Sequence, residues 1–230
     1  MRTEDVSAVI DHLTTLPCID KDGIGAMGIC AGAGHTANAA INDRRIKAVG
    51  TVSAVNIGQM FRDGFTGDVK SADAMPLLAN GSNARTAEAG GAEVTKMPLA
   101  PMNREDAPNA DLEEAWEYYH TRRAQYPTAP GWATARSLSQ IIPYDAYNMA
   151  EVFLTQPLQI VVGSEAGSKW MSDDLFKRAA SKDKHLHVMQ GSNHMKMYDV
   201  PKYVDDAASV LGPFFERVLE PAKLAKVKAA

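Results

Sequence analysis

Short apolar segments alternate with amphipathic segments near both ends of this 230-residue chain. Apolar residues recur at helical spacing over 6–13, and an apolar run at 24–29 follows a turn. An alanine-rich stretch at 31–41 favours a helix, and a second apolar run covers 46–55. Because runs that are apolar on both faces are typical of buried parallel strands, this order predicts a βαβ unit.

The middle of the chain has a different pattern. Gly, Asn and Ala dominate after residue 58, and apolar residues then recur at helical spacing over 111–119. This pattern predicts a mostly helical insertion at about 59–150 within a single domain that spans 1–230. The strand and helix alternation then resumes, and the chain is predicted to be an α/β protein with a parallel sheet. The later elements are predicted at 157–163 (strand), about 172–180 (helix), 185–191 (strand) and about 204–218 (amphipathic helix).

Composition and charge exclude several classes of protein. The chain is 45% hydrophobic with a net charge of −4, so it can bury a core and offers no basic surface for nucleic acid. Its first residues are acidic where a secretory signal would be basic, and no apolar run approaches the length of a membrane span. We therefore expect a cytoplasmic protein that binds neither nucleic acid nor membrane. With two cysteines and no zinc-type spacing, we also expect no metal and no cofactor.

The stretch "MGICAGAG" places a cysteine between glycines where the first predicted strand gives way to a helix. Gly28 to Gly32 has the form G-x-nucleophile-x-G, which in this context predicts a nucleophile elbow. Such a turn raises Cys30 above the sheet, and the glycines keep Cβ atoms away from the neighbouring strand and helix. The helix N-terminus is expected to stabilise a thiolate and lower its pKa, so Cys30 rather than Cys18 is the predicted reactive thiol. A buried, unreactive cysteine at a tight turn fits the same five residues.

A nucleophile of this kind needs a base. His194 lies in "GSNH", just past the last predicted strand, from where a loop can bring it over Cys30. His35, in the helix after the elbow, is a weaker candidate. His185 and His187 fit a strand better than a catalytic loop.

Three segments, "MGICAGAGHTANAA", "GSEAGSKWMSDD" and "GSNHMKMYDVPKYV", follow one another in this order. They resemble α/β-hydrolase superfamily proteins of the dienelactone-hydrolase-like type, several of which use Cys at the elbow. The resemblance implies a hydrolase of small-molecule esters or lactones. It implies Cys30 as the nucleophile and His194 as the base, and the backbone N–H of Ala31 can serve as an oxyanion donor.

The chain departs from that family at two places. Gly167 stands where the resemblance places an Asp, so Glu165 is the substitute acid, with Asp173 and Asp174 as alternatives. Only 29 residues precede Cys30, where relatives have several strands. We therefore expect the first strands of the fold to be missing and one oxyanion donor to be lost, so that activity is weak. We also expect an open sheet edge that favours a homo-oligomer.

The predicted insertion carries aromatic residues that can roof an apolar pocket, although residues at helical spacing also fit a plain core. Two other functions remain open. One is a thiol-reactive protein resembling the DJ-1 superfamily, whose elbow lies in mid-chain. The other is a non-catalytic α/β domain that forms assemblies. The aromatic candidates are Trp116, Tyr119, Trp132 and Tyr144.

Overall fold

The computed structural model describes residues 2–129 and 131–227, with side chains described as far as Glu220. The chain divides into two compact units. The first contains the residues up to Ile57 and those from Asp145 onward, and the second is Gly58–Tyr144, where the sequence places the insertion. The helices and strands, in chain order, are α1 (Arg2–Thr15), β1 (Gly25–Ile29), α2 (Ala31–Asn42), β2 (Ala48–Val52), α3 (Ile57–Asp63), α4 (Met75–Ala89), β3 (Lys96–Pro98), α5 (Ala110–His120), β4 (Trp132–Thr134), α6 (Leu138–Ile141), α7 (Ala150–Phe153), β5 (Leu158–Gly163), α8 (Lys169–Arg178), β6 (Lys184–Met189), α9 (Lys196–Asp199) and α10 (Pro201–Val227).

The first unit is built on a four-stranded sheet in the order β1-β2-β5-β6. All three strand pairs are parallel, with Ile29 opposite Val52 and Val52 opposite Val161. The α/β fold with a parallel sheet is therefore confirmed. Because parallel strands end at one edge of the sheet, the loops after β1, β5 and β6 lie at the same edge.

One part of the core of the first unit lies between this sheet and the C-terminal helices. Every residue of β2 and β5 is buried, as expected for central strands covered on both faces. Side chains from the strands pack with side chains of α9 and α10 in one apolar cluster. Its buried members are Val52, Val161, Met189, Met197, Ala207 and Leu211.

A polar cluster joins the two points where the chain leaves and re-enters the first unit. Asn56, fully buried, donates to the Asp145 carboxylate at 2.7 Å and accepts from the Ala146 N–H at 3.0 Å. Arg178 donates to the other carboxylate oxygen of Asp145 at 3.0 Å. Burial would raise the pKa of Asp145, but hydrogen bonds from the Tyr147 N–H, Arg178 and Asn56 together lower it. The carboxylate therefore stays charged and holds together the two points where the chain leaves and re-enters the first unit.

The second unit combines helices with a small antiparallel strand pair. β3 and β4 are three residues long, with Lys96 opposite Thr134. The sequence does not predict this pair, because three residues carry too little periodicity to distinguish a strand from a loop. A cluster of Ala74, Leu138 and Ile142 forms the unit's buried centre. A surface cavity of about 500 Å³ in this unit is lined mainly by apolar side chains, among them Phe61 and Leu77.

β1 is the last strand at one end of the sheet order in the described part of the chain. Met27 is 51% exposed and Ile29 is 44% exposed, so apolar side chains are exposed along this edge strand. Edges of this kind favour pairing with another chain, and association of the protein through β1 stays a prediction.

Within residues 2–129 and 131–227, no helix combines the length and the apolar character that a membrane span requires. The same residues contain no group of three or more His, Cys, Asp or Glu side chains placed to hold a metal ion.

β1 and α2 pack in close contact at Gly28. A Cβ atom there would lie 2.4 Å from the Gly32 carbonyl oxygen and 2.6 Å from the Ala33 Cα. At Gly32, a Cβ atom would meet no described atom within 4 Å. Steric exclusion therefore explains the first glycine of the motif, and the same explanation is wrong for the second.

We expect Gly28→Ala to lower the free energy of unfolding by about 2 kcal/mol or more, because backbone atoms must move to admit the methyl group. Gly32→Ala is the matched control, and it should change stability by less than about 1 kcal/mol, because it adds a methyl group to a helix without a clash. Urea unfolding of both variants measures the difference. Equal stability of the two variants would show that β1 and α2 do not pack this closely.

Candidate active site

Cys30 occupies a strained turn between β1 and α2. Its backbone has φ 55° and ψ −130°, a conformation that costs a non-glycine residue about 1–3 kcal/mol. Three hydrogen bonds hold it there. The Cys30 N–H donates to the Val52 carbonyl at 3.0 Å, and the Cys30 carbonyl accepts from the N–H groups of Ala33 and Val55, each at 3.0 Å. The cysteine therefore lies where the sequence places the elbow, with the strained geometry that an elbow requires.

The two cysteines differ in their surroundings. Cys18 is exposed, whereas Cys30 is partly exposed and its thiol is largely desolvated. Burial raises the pKa of the Cys30 thiol, and hydrogen bonds from the Tyr198 hydroxyl and the Ala31 N–H lower it by less. The lowered pKa expected for this cysteine is wrong, because desolvation outweighs the favourable contacts. The Cys30 thiol is therefore neutral at rest, and it would need a base to act as a nucleophile.

His194 lies in the loop between β6 and α9, as the sequence predicts. Its side chain is 2% exposed, and burial lowers its pKa to about 4. The imidazole is therefore neutral at physiological pH, with one nitrogen free of a proton. A neutral imidazole can accept a proton, which is the first requirement of a general base.

Both ring nitrogens of His194 have hydroxyl partners. Nδ1 lies 2.5 Å from the Ser168 Oγ, and Nε2 lies 2.6 Å from the Tyr198 hydroxyl. Tyr198 in turn hydrogen-bonds to the Cys30 sulfur. The structure therefore forms a continuous chain of hydrogen bonds in the order Cys30, Tyr198, His194, Ser168.

Ser168 stands at the position before the first residue of α8. Serine there ordinarily caps the helix by accepting from a backbone N–H, but the Ser168 hydroxyl makes no such bond. It is fully buried and is directed to Nδ1 of His194 instead. Ser168 therefore fixes the orientation of the imidazole, at the expense of a helix cap worth about 1 kcal/mol.

Hydrogen bonds donated by backbone N–H groups join the Ser168 loop to the His194 loop. The Glu165 N–H donates to the Ser192 carbonyl at 2.9 Å, and the Gly191 N–H donates to the Ser164 Oγ at 3.0 Å. These bonds hold the two loops together at the carboxyl ends of β5 and β6.

The structure gives Nδ1 an uncharged partner where a hydrolase triad has a carboxylate. Glu165 is exposed, and its backbone N–H donates to the Ser192 carbonyl. Asp173 binds the Lys169 Nζ at 2.7 Å, and Asp174 faces Arg178 at 3.5 Å. The role of Glu165 as the triad acid stays a prediction, and the orienting contact in the structure comes from Ser168.

The other histidine and aromatic candidates from the sequence belong to other elements of the chain. His35 is in α2, and burial lowers its pKa. His185 and His187 are in β6. The pocket role of the four aromatic residues stays a prediction. Trp116 and Tyr119 belong to α5, Trp132 to β4, and Tyr144 to the end of the second unit.

Sequence reasoning missed Tyr198 and Ser168. One available signal is that Tyr198 follows His194 by four residues, so a helical turn after the histidine brings the two side chains together. Ser168 offers a weaker signal, since a serine before a helix is ordinarily interpreted as a cap.

A parallel sheet, an elbow after its first strand and a histidine loop after its last strand define an α/β-hydrolase fold. No protein-family model matches the chain. The chain is 67% identical over 219 residues to the uncharacterized protein YcjY of Escherichia coli K12, covering 95% of this chain and 72% of YcjY. The chain therefore belongs to the same family as YcjY.

Solved structures share the fold at low sequence identity. A hypothetical protein of Pseudomonas aeruginosa, PA2218, has a TM-score of 0.80 at 23% identity, covering 94% of this chain and 67% of its own. The α/β hydrolase GrgF of Penicillium sp. sh18 has a TM-score of 0.70 at 16% identity, covering 94% and 71%. A monoacylglycerol lipase of Paleococcus ferrophilus has a TM-score of 0.62 at 14% identity, covering 94% and 74%. These matches establish the α/β-hydrolase fold.

The neutral state of His194 makes stability depend on pH. Its pKa falls from 6.5 to about 4 on folding, so the unfolded chain binds a proton that the folded chain does not in the window between these values. We expect about 3 kcal/mol of stability, present above pH 6.5, to be lost as the pH falls towards 4. Urea unfolding from pH 7 to pH 4 measures this loss.

His194→Gln should remove this part of the pH dependence, because glutamine stays neutral. His185→Gln, at an exposed strand position, is the matched control and should retain the loss of stability that comes from His194. An unchanged pH dependence in His194→Gln would contradict a buried neutral imidazole.

Proposed function

We propose that this protein hydrolyses small carboxylic esters or lactones through a thioester formed on Cys30, with His194 as the base. The observation that carries the proposal is the strained Cys30 backbone at the elbow, joined by hydrogen bonds to a buried neutral histidine. Strain of this kind persists at functional sites, where it fixes the direction of a reactive side chain.

The reaction follows the order of an acyl transfer. His194 receives the proton of the Cys30 thiol, and the sulfur attacks the ester carbonyl. In this proposal the Ala31 N–H, which contacts the sulfur in the resting state, donates to the oxyanion. His194 returns the proton to the leaving alcohol as the thioester forms. Water then attacks the thioester, releasing the acid and restoring the thiol.

The surroundings of His194 point to slow turnover. Ser168 orients the imidazole, but a neutral hydroxyl does not stabilise the imidazolium that forms during the reaction as a carboxylate does. Replacing the orienting carboxylate of a serine-protease triad by an amide lowers the rate by about 10⁴-fold. Activated esters, whose leaving groups need little protonation, are therefore the substrates on which activity is expected first.

The structural neighbours support hydrolysis in general terms. GrgF is described as an α/β hydrolase, and the Paleococcus protein as a monoacylglycerol lipase. Cleavage of an ester or lactone bond is the reaction that this fold and a Cys–His pair suit best.

Initial rates on p-nitrophenyl acetate test the proposal. Cys30→Ala and His194→Ala should each lose at least about a hundredfold in rate, because nucleophile and base act as a unit. Cys18→Ala, which removes the exposed thiol, is the matched control and should keep the parent's rate. Glu165→Ala should lose much less than either active-site variant, because its side chain is exposed.

Retention of the parent's rate by Cys30→Ala would overturn the proposal and favour a non-catalytic α/β domain. A rate that falls equally in Cys18→Ala and Cys30→Ala would also contradict it, because the exposed thiol would then be an equal contributor.

A further inference from the structure

A tyrosine hydroxyl stands between the candidate nucleophile and the candidate base. The Tyr198 hydroxyl lies 2.6 Å from Nε2 of His194 and also hydrogen-bonds to the Cys30 sulfur. In a Ser-His-Asp triad, the corresponding histidine nitrogen bonds directly to the nucleophile. The described contacts therefore give His194 a link to the thiol through a phenol.

The position of Tyr198 is fixed by its neighbours. It belongs to the short helix α9, where its N–H donates to the Met195 carbonyl at 3.0 Å. Its ring packs edge-on against the His194 ring, with centroids 5.4 Å apart, and it contacts the apolar cluster of the first unit. Packing on both sides holds the hydroxyl in place between the two partners.

A phenol suits this position because its oxygen accepts one hydrogen bond while its O–H donates another. With a neutral thiol, S–H donates to the Tyr198 oxygen, Tyr198 O–H donates to Nε2, and Nδ1–H donates to the Ser168 Oγ. With a thiolate, the first two hydrogen bonds reverse direction, and the Nδ1–H bond to Ser168 is unchanged. The same heavy-atom positions therefore serve both protonation states.

Resting on the proposed Cys–His hydrolysis, we propose that Tyr198 is a catalytic residue that relays the Cys30 proton to His194. The S–H bond breaks as its proton moves to the phenol oxygen, and the phenol proton moves to Nε2. Charge balances, because a thiol and a neutral imidazole become a thiolate and an imidazolium while tyrosine stays a phenol. As the thioester forms, the imidazolium returns its proton to the Tyr198 oxygen while the phenol proton moves to the leaving oxygen, which departs as the alcohol.

The competing arrangement is a tyrosine that blocks the site and moves aside when substrate enters, leaving His194 to contact Cys30 directly. That arrangement predicts that removal of the hydroxyl leaves the rate unchanged or raises it. The relay predicts the opposite effect, so one substitution separates the two.

Tyr198→Phe removes the hydroxyl and keeps the ring. We expect its kcat/KM on p-nitrophenyl acetate to fall by about 10²-fold or more. The rate of Cys30 alkylation by iodoacetamide should also shift to higher pH, because the thiolate loses a hydrogen-bond donor. Tyr203→Phe is the control, because it removes another phenol hydroxyl. That hydroxyl donates to the carbonyl of Gly191, in the loop that carries His194, at 2.8 Å, and its removal should show neither effect.

A double-mutant cycle separates a relay from an independent hydrogen bond. If Tyr198 acts through His194, the double variant Tyr198→Phe/His194→Ala should be no slower than His194→Ala alone. If the double variant loses the product of the two single losses in rate, the relay is overturned. A Tyr198→Phe variant with the parent's rate would also overturn it.

If Cys30→Ala keeps the parent's rate, the proposed hydrolysis itself fails. Loss in Cys30→Ala without loss in Tyr198→Phe refutes the relay alone.

A second variant covers the case in which Tyr198→Phe does not fold. 3-Fluorotyrosine at position 198 keeps the ring and the hydroxyl and makes the phenol a stronger donor. We expect the alkylation profile of Cys30 to shift to lower pH in this protein. An unchanged profile would show that the hydroxyl is not bonded to the reacting sulfur.

Discussion

The strained backbone of Cys30 is the constraint on which the site depends. Its φ of 55° is held by hydrogen bonds to Val52, Ala33 and Val55, which tie the elbow to β2, α2 and the loop that follows β2. The same turn requires β1 and α2 to approach so closely that only glycine fits at position 28. The interactions that build the parallel sheet therefore also offset the strain that directs the thiol.

Burial without charge is the second property of the site. Desolvation raises the pKa of the Cys30 thiol and lowers that of His194 to about 4, so both groups are neutral at rest. An uncharged serine at Nδ1 does not reverse this effect. The site thus differs from one with a preformed thiolate–imidazolium pair, so the proposed hydrolysis requires the Cys30 proton to move when substrate binds.

The pattern of the sequence is enough to predict the strands of the first unit, their parallel arrangement and the elbow, because each is encoded locally by apolar runs, glycines and turn residues. The chain of hydrogen bonds is not encoded locally. Ser168 and His194 are far apart in the sequence and meet because β5 and β6 are neighbours. The raised pKa of the Cys30 thiol also depends on packing that a motif does not contain. The three-residue strands β3 and β4 are too short to show an alternation of apolar and polar residues in the sequence.

Mass spectrometry of the protein, quenched in acid during turnover of p-nitrophenyl acetate, shows whether Cys30 carries the acyl group as proposed. We expect a mass increase of one acetyl group on the peptide that contains Cys30. We expect no such adduct in Cys30→Ala and an unmodified Cys18. Acetylation found elsewhere, with Cys30 unmodified while the ester is consumed, would contradict the proposed thioester.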